Sequence, residues 1–159
     1  MAVRARARVS GDDTPAMQVA EIQRVRLLAA AVSTVEEQGY ARTTVAHITR
    51  RARVSRRTFY ELFANREECL VAVLEDVVGL VEAELAAAEL DGLAWRERVR
   101  GGLWAILSFF DREPALARVC VVQALGAGPR VLERREEIVA HLTAVVDEGR
   151  LEGSRGGER

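Results

Sequence analysis

Along most of the chain apolar residues return every three or four positions, the spacing that lines one side of an α-helix, while strand-type alternation is weak throughout. Ala, Leu, Glu and Arg are abundant and prolines number only three, so the pattern predicts an all-α fold. Residues 1–17 lack the rhythm and hold Gly11, Asp12, Asp13 and Pro15, which reads as a mobile arm. A first helix is predicted from about Gln18 to Gln38, with Val25, Leu28, Val32 and Val35 on one stripe and Gly39 as its stop.

Three capping residues follow at short intervals. Thr44 opens a helix through about Arg51 that points Val45, Ile48 and Ala52 inward, and Ser55 opens the next, with Phe59, Leu62 and Phe63 on its apolar side. Asn65 opens a third, with Glu68 in capping-box register. This one is long, from Arg66 to about Leu90, and Leu70, Val73, Leu74, Val77, Val81 and Leu85 sustain its period. Beyond Asp91 and Gly92, a helix from Ala94 to Arg112 carries Trp95, Val99, Leu103, Ile106 and Phe110 on one stripe. Pro114 starts another, Ala115 to Leu125. A last helix, about Val131 to Gly149, places Ile138, Val139, Leu142, Val145 and Val146 inside, and the closing RLEGSRGGER reads as disordered. The expected units are an arm (1–17), a three-helix unit (18–65), a second helical unit (66–150) joined to it by the helix 66–90, and a disordered tail (151–159).

Charge sharpens this picture, because a formal net charge of −1 conceals segregation along the chain. Residues 1–66 carry 12 arginines against 6 acids, whereas residues 67–159 carry 11 against 18. Nearly all the positive excess lies in residues 40–66, where seven arginines face one acid, Glu61. That is the footprint of a polyanion-binding surface, although a solvated basic face carries the same charge. Every cation is arginine, which reads as the codon bias of a GC-rich genome.

Several chemistries lose support. Cys69 and Cys120 are far apart with no CxxC or His-spaced partner, which argues against a disulfide framework or a zinc site and points to a reducing cytoplasm. The longest apolar run, Leu27 to Val32, is far shorter than the roughly 18 residues of a membrane span, and the arginine-bearing start has no hydrophobic stretch behind it, as a secretory signal would. Cys120 and His141 resemble a nucleophile and a base, but no third group fixes them together, so no catalytic residue, metal or cofactor is expected.

Two short helices joined by Ala52 to Val54 have the length and spacing of a helix-turn-helix. In that motif the second helix enters the major groove and its first turns meet base edges. Those turns hold Arg56, Arg57 and Thr58. Arginine bonds bidentately to guanine, threonine meets a thymine methyl, and Ser55 at the helix start suits a phosphate.

Residues 25–74 resemble the DNA-binding domain of the TetR family of bacterial transcription regulators. The likeness rests on Gly39, Tyr40, Thr43, Thr44, Val45, Ile48, Ala52, Val54, Ser55, Thr58, Phe59, Tyr60, Phe63, Asn65, Arg66, Glu67 and Leu70. It implies that Thr44, Ser55, Tyr60 and Arg66 contact phosphates while Arg56, Arg57 and Thr58 face bases. Four positions depart from the family pattern: Arg53 and Arg57 stand where it has glycine, Thr49 where it has alanine, and Leu62 where it has His or Tyr. Arg53 is expected to strain a left-handed turn.

The resemblance further implies a repressor that binds a palindromic duplex operator as a homodimer, is released by a small apolar effector, and uses residues 66–150 for ligand binding and dimerisation. Trp104, Phe109, Phe110, Val119, Val122 and Leu142 are the candidate cavity lining, with ordinary core packing as the competing reading of each. Family members usually continue into two further helices that form the dimer interface. RLEGSRGGER forms neither, so the expectation is a truncated or divergent member that dimerises weakly or through another face. A helical protein that pairs with a full-length relative and poisons its DNA binding is the rival reading.

Overall fold

The computed structural model describes residues 15–156, and these form seven α-helices and no strand. In chain order they are α1 (Pro15–Gln38), α2 (Val45–Ala52), α3 (Arg56–Leu62), α4 (Arg66–Ala87), α5 (Trp95–Arg112), α6 (Pro114–Val121) and α7 (Pro129–Gly156). The three expected caps form. The Thr44 hydroxyl accepts from the His47 amide at 3.2 Å, Ser55 from Thr58 at 3.0 Å and the Asn65 carbonyl from Glu68 at 2.9 Å. Each satisfies an amide that the first helical turn leaves without a partner. The Glu68 carboxylate returns the bond to the Ala64 amide at 3.0 Å, one residue before the cap.

Several helix limits differ from the periodicity. α1 begins at Pro15, whose fixed φ and missing N–H suit a first turn, so residues 15–17 are helical; the rest of the expected arm, 1–14, lies outside the described residues. α4 ends at Ala87 rather than near Leu90, and Glu89 just beyond takes a left-handed φ of 49°. The single helix expected over 115–125 is α6 followed by a tighter 3-10 turn, Gln123–Gly126, which tucks Ala124 into the core. α7 begins two residues before Val131 and runs seven past Gly149, which makes most of the expected tail helical. Extending an existing helix avoids the cost of nucleation, and Arg150, Leu151 and Glu152 are good helix formers. The remainder of that tail, 157–159, lies outside the described residues.

Leu28, Val32 and Val35 of α1 are buried with Ile48, Phe59, Leu70, Val73, Leu74, Val77, Phe109, Leu116, Val119 and Val131 in one continuous core. α1 packs against α2, α4 and α6, and α4 packs in turn against α5 and α7. The boundary expected at residue 65 therefore does not divide the core. Full burial of each such side chain contributes roughly 1.5–3 kcal/mol. Polar bonds tie the same halves together: Arg24 Nη2 meets Asp76 Oδ1 at 2.8 Å, the Tyr40 amide donates to Gln123 Oε1 at 3.2 Å, and the Arg130 amide donates to Glu67 Oε1 at 2.8 Å.

Two stripes expected to face inward do so only in part. On α5 only Phe109 is fully buried, and Leu103 is 55% exposed. On α7 Ile138 is half-buried while Val139, Leu142 and Val146 are exposed. The helical period marks an apolar side without saying how far it is covered: Phe110 and Ile138 pack against the core, while the other described side chains of each stripe are half-buried or exposed.

Candidate nucleic-acid interface

α2 and α3 are both too short to persist alone and are held by their inward residues. Ile48 and Ala52 anchor α2, with Thr49 also buried where the family pattern has alanine. Phe59 and Phe63 anchor α3, and their rings pack with centroids 5.6 Å apart. What remains of α3 faces outward: Arg56, Arg57, Glu61 and a 58% exposed Tyr60. Ser55 is exposed, and its hydroxyl lies 2.9 Å from that of half-buried Thr58, which fixes the Thr58 side chain at the helix entrance. Thr44 is exposed at the start of α2.

The turn between the two helices carries the expected strain. Arg53 has φ 55° and ψ 42°, the left-handed region that glycine enters without cost. It ends α2 with a paired cap, the Val54 amide donating to the Thr49 carbonyl at 3.1 Å and the Arg53 amide to that of Arg50 at 3.3 Å. Gly39, which stops α1, has φ 79° and ψ 155°, a conformation essentially reserved for glycine.

The seven arginines of residues 40–66 fall into distinct groups. Arg50, Arg53 and Arg56 are exposed with no ion-pair partner among the described residues. Arg57 Nε donates to Glu61 Oε1 at 2.9 Å, an exposed pair worth only a few tenths of a kcal/mol (roughly 0.3–0.5) and readily exchanged for a stronger anion. Arg51 donates to Glu37 and holds that carboxyl below the usual carboxylate range, and Arg42 Nε donates to the Gln38 carbonyl at 2.7 Å.

Arg66, expected at a phosphate, is instead turned inward. Its Nη1 donates to the carbonyls of Tyr40, at 3.1 Å, and Thr43, and its guanidinium lies 4.4 Å from the centre of the Tyr40 ring. The Tyr40 carbonyl also accepts from the Thr43 amide at 3.0 Å, so the cation adds a second bond there and one to Thr43, and braces the turn between α1 and α2. Burial pushes the Tyr40 phenol above its ordinary value, with the Arg66 charge opposing. His47 packs beside Gln38, whose amide nitrogen lies 2.8 Å from Nδ1.

The six candidate cavity residues are not gathered around a common space. Phe109 and Val119 lie in the core, Phe110 sits edge-on to Phe109, and Trp104, Val122 and Leu142 are exposed. A gap inside the bundle, bounded by Leu28, Val32, Val73, Val77, Leu80 and Leu116, amounts to about 10 Å³, room for one water at most. An open groove of about 450 Å³ runs along α5, and Trp104 is the only one of the six that lines it. No group of three metal-ligating side chains occurs among the described residues, and no described helix is long and apolar enough to cross a membrane.

Sequence pattern alone missed the bond from the Tyr40 amide, in the turn before α2, to Gln123, and the one from the Arg130 amide to Glu67 at the start of α4. Glu67 sits where Gly128 leaves room, since a Cβ there would come within 2.5 Å of Glu67 Oε1. A glycine after the small-residue run Gly126–Ala127 was the available signal.

Residues 27–73 match the family described as bacterial regulatory proteins, tetR family. Over 118 residues the chain is 30% identical to the HTH-type transcriptional regulator HbdR of Aromatoleum sp. (strain CIB), an alignment covering 72% of this chain and 51% of that protein. Over 134 residues it is 34% identical to an uncharacterized HTH-type transcriptional regulator of Mycobacterium bovis, covering 78% of this chain and 67% of the relative. It thus spans about half the length of the first relative and two thirds of the second. Among solved structures it is similar to a TetR family transcription regulator of Marinobacter aquaeolei VT8, with a TM-score of 0.65 at 25% identity over 86% of this chain and 72% of that one. The fatty acid degradation regulator FadR of Bacillus halodurans shares its fold, with a TM-score of 0.73 at 20% identity, covering 85% and 69% respectively.

Proposed function

Because this chain belongs to the tetR family of bacterial regulatory proteins, we propose that it binds duplex DNA through α3 and regulates transcription, as a repressor acting at a palindromic site. The carrying observation is the two-sided character of α3. Phe59 and Phe63 lock it into the core while Arg56, Arg57 and Tyr60 are exposed on the opposite side, along with the exposed cations Arg50 and Arg53. In this reading α3 lies in the major groove, Arg56 and Arg57 meet base edges with Thr58 at the helix entrance, and Thr44, Ser55 and Tyr60 hold the flanking phosphates. Arg66 supports the turn beneath them rather than touching DNA. Two copies bound one helical turn apart, about 34 Å, would match a palindrome. Release by a small apolar effector has no enclosed cavity among the described residues to support it, so DNA binding is the part of the reading that the geometry favours.

Binding of labelled duplexes across a salt series tests the proposal. Arg56→Ala and Arg57→Ala should each cost about 1–3 kcal/mol at one base position and relax preference there. Equal losses on every sequence would overturn the base-reading role.

A further inference from the structure

Glu61 is the one acid among residues 40–66, which carry seven arginines, and it is exposed on the outward side of α3 together with Arg57. Stability gives no reason for it there. It holds the next-to-last position of α3, where the negative end of a helix disfavours an acid, and a carboxylate placed four residues after its cation is the weaker order of such a pair. On a surface that meets a polyanion it also repels the partner. Its contact is nonetheless specific: Glu61 Oε1 accepts from Arg57 Nε at 2.9 Å, with the two side chains 56% and 89% exposed.

Arg57 commits only that one nitrogen. Nη1 and Nη2 have no hydrogen-bond partner among the described residues, so the two-pronged end of the guanidinium is open to solvent. Arg56, the other arginine of α3, has no acid holding it.

We propose that Glu61 is a positioning residue for base recognition, holding Arg57 by Nε so that the fork of Nη1 and Nη2 is presented to O6 and N7 of a guanine. The inference rests on the reading of α3 as the helix that meets DNA. An arginine free to swing gives up rotamer freedom when it binds, and it can settle on a phosphate as readily as on a base. One tethered at Nε has lost part of that freedom beforehand and keeps the two parallel donors that match guanine. The tether also selects the target. A phosphate competes with Glu61 for the same cation and is repelled by the carboxylate, whereas a base edge carries no net charge and leaves the Nε bond in place. Where the groove excludes water, that bond strengthens. Discrimination then comes from making the wrong contact worse as well as the right one better.

Binding of the full chain to a library of duplexes varied one position at a time, over a salt series, tests this. Arg57→Ala should lower the preference for guanine at one position by roughly 5- to 150-fold. Glu61→Ala should lower it at that same position by about three- to tenfold, a part of the same contact, and leave the position read by Arg56 unchanged. Binding to unrelated duplex should tighten in Glu61→Ala, with a salt slope steeper by about one, as the released Arg57 takes a phosphate. In the Arg57→Ala background, Glu61→Ala should change preference nowhere. A general weakening of α3 would instead lower preference at the Arg56 position too, and that outcome would overturn the proposal. So would a Glu61→Ala loss at a position that Arg57→Ala leaves intact, because Glu61 would then touch a base itself. A position relaxed by Arg57→Ala and kept by Glu61→Ala overturns the positioning role alone; an Arg57→Ala variant that relaxes no position overturns the base-reading role of Arg57 and the positioning role with it.

Discussion

Replacing Arg53 separates backbone strain from charge at the turn that sets α3. The residue sits at φ 55° and ψ 42° with its side chain exposed and no ion-pair partner among the described residues, so substitution alters little else. A left-handed position costs a non-glycine residue about 1–2 kcal/mol. Arg53→Gly removes that cost but returns about 0.4–1 kcal/mol to the unfolded chain as entropy. The net expectation is a gain of about 0.5–1 kcal/mol, a rise in Tm of about 1–4 °C for a chain of this size. Arg53→Ala keeps the strained backbone and loses the same charge, so its Tm should stay near that of the parent. Calorimetry on the three proteins reads the stability, and a salt series on DNA reads the charge, whose loss should affect both variants alike. A Tm for Arg53→Gly at or below the parent value would refute the strain argument and show a turn rebuilt to suit arginine.

Arg66→Ala should cost about 1–2 kcal/mol in urea denaturation, because it removes the guanidinium bonds to the Tyr40 and Thr43 carbonyls, the former keeping only the Thr43 amide, and takes the cation from the Tyr40 ring. An unchanged stability with a shallower salt dependence of DNA binding would return Arg66 to the phosphates. Burial pushes the Cys69 and Cys120 thiols from 9.0 up to about 12, so at pH 8 a thiol reagent should react with the folded chain orders of magnitude more slowly than in denaturant. The folded state keeps thiol protons that the unfolded chain gives up above about pH 9, so these groups make stability fall as pH rises from 9 toward 12. Rapid labelling of the native protein at pH 8 would contradict both statements.

Local chemistry was legible in the chain and tertiary partnership was not. The caps at Thr44, Ser55 and Asn65 could be read because each bond spans three residues, and the Arg53 strain because one missing glycine marks it. Phe59 and Ile48 could be placed inside because a short amphipathic helix has one apolar side. Arg66 escaped the same treatment, since its carbonyl partners lie more than twenty residues back and no spacing distinguishes an inward arginine from an outward one. Gln123 reaches Tyr40 across 83 positions for the same reason. The apolar sides of α5 and α7 were visible as periodicity, but whether a stripe is covered by its own chain depends on neighbours that periodicity does not name.

In the proposed function the outward side of α3 reads base sequence in duplex DNA. Selection from a pool of random duplexes by the intact chain, followed by sequencing of the retained molecules, tests it most directly. Base reading by α3 should enrich a palindromic sequence with half-sites about 34 Å apart, and preference at defined positions should be lost when Arg56→Ala or Arg57→Ala is used. Retention without any enriched sequence, or an enriched sequence unchanged by both variants, would contradict it.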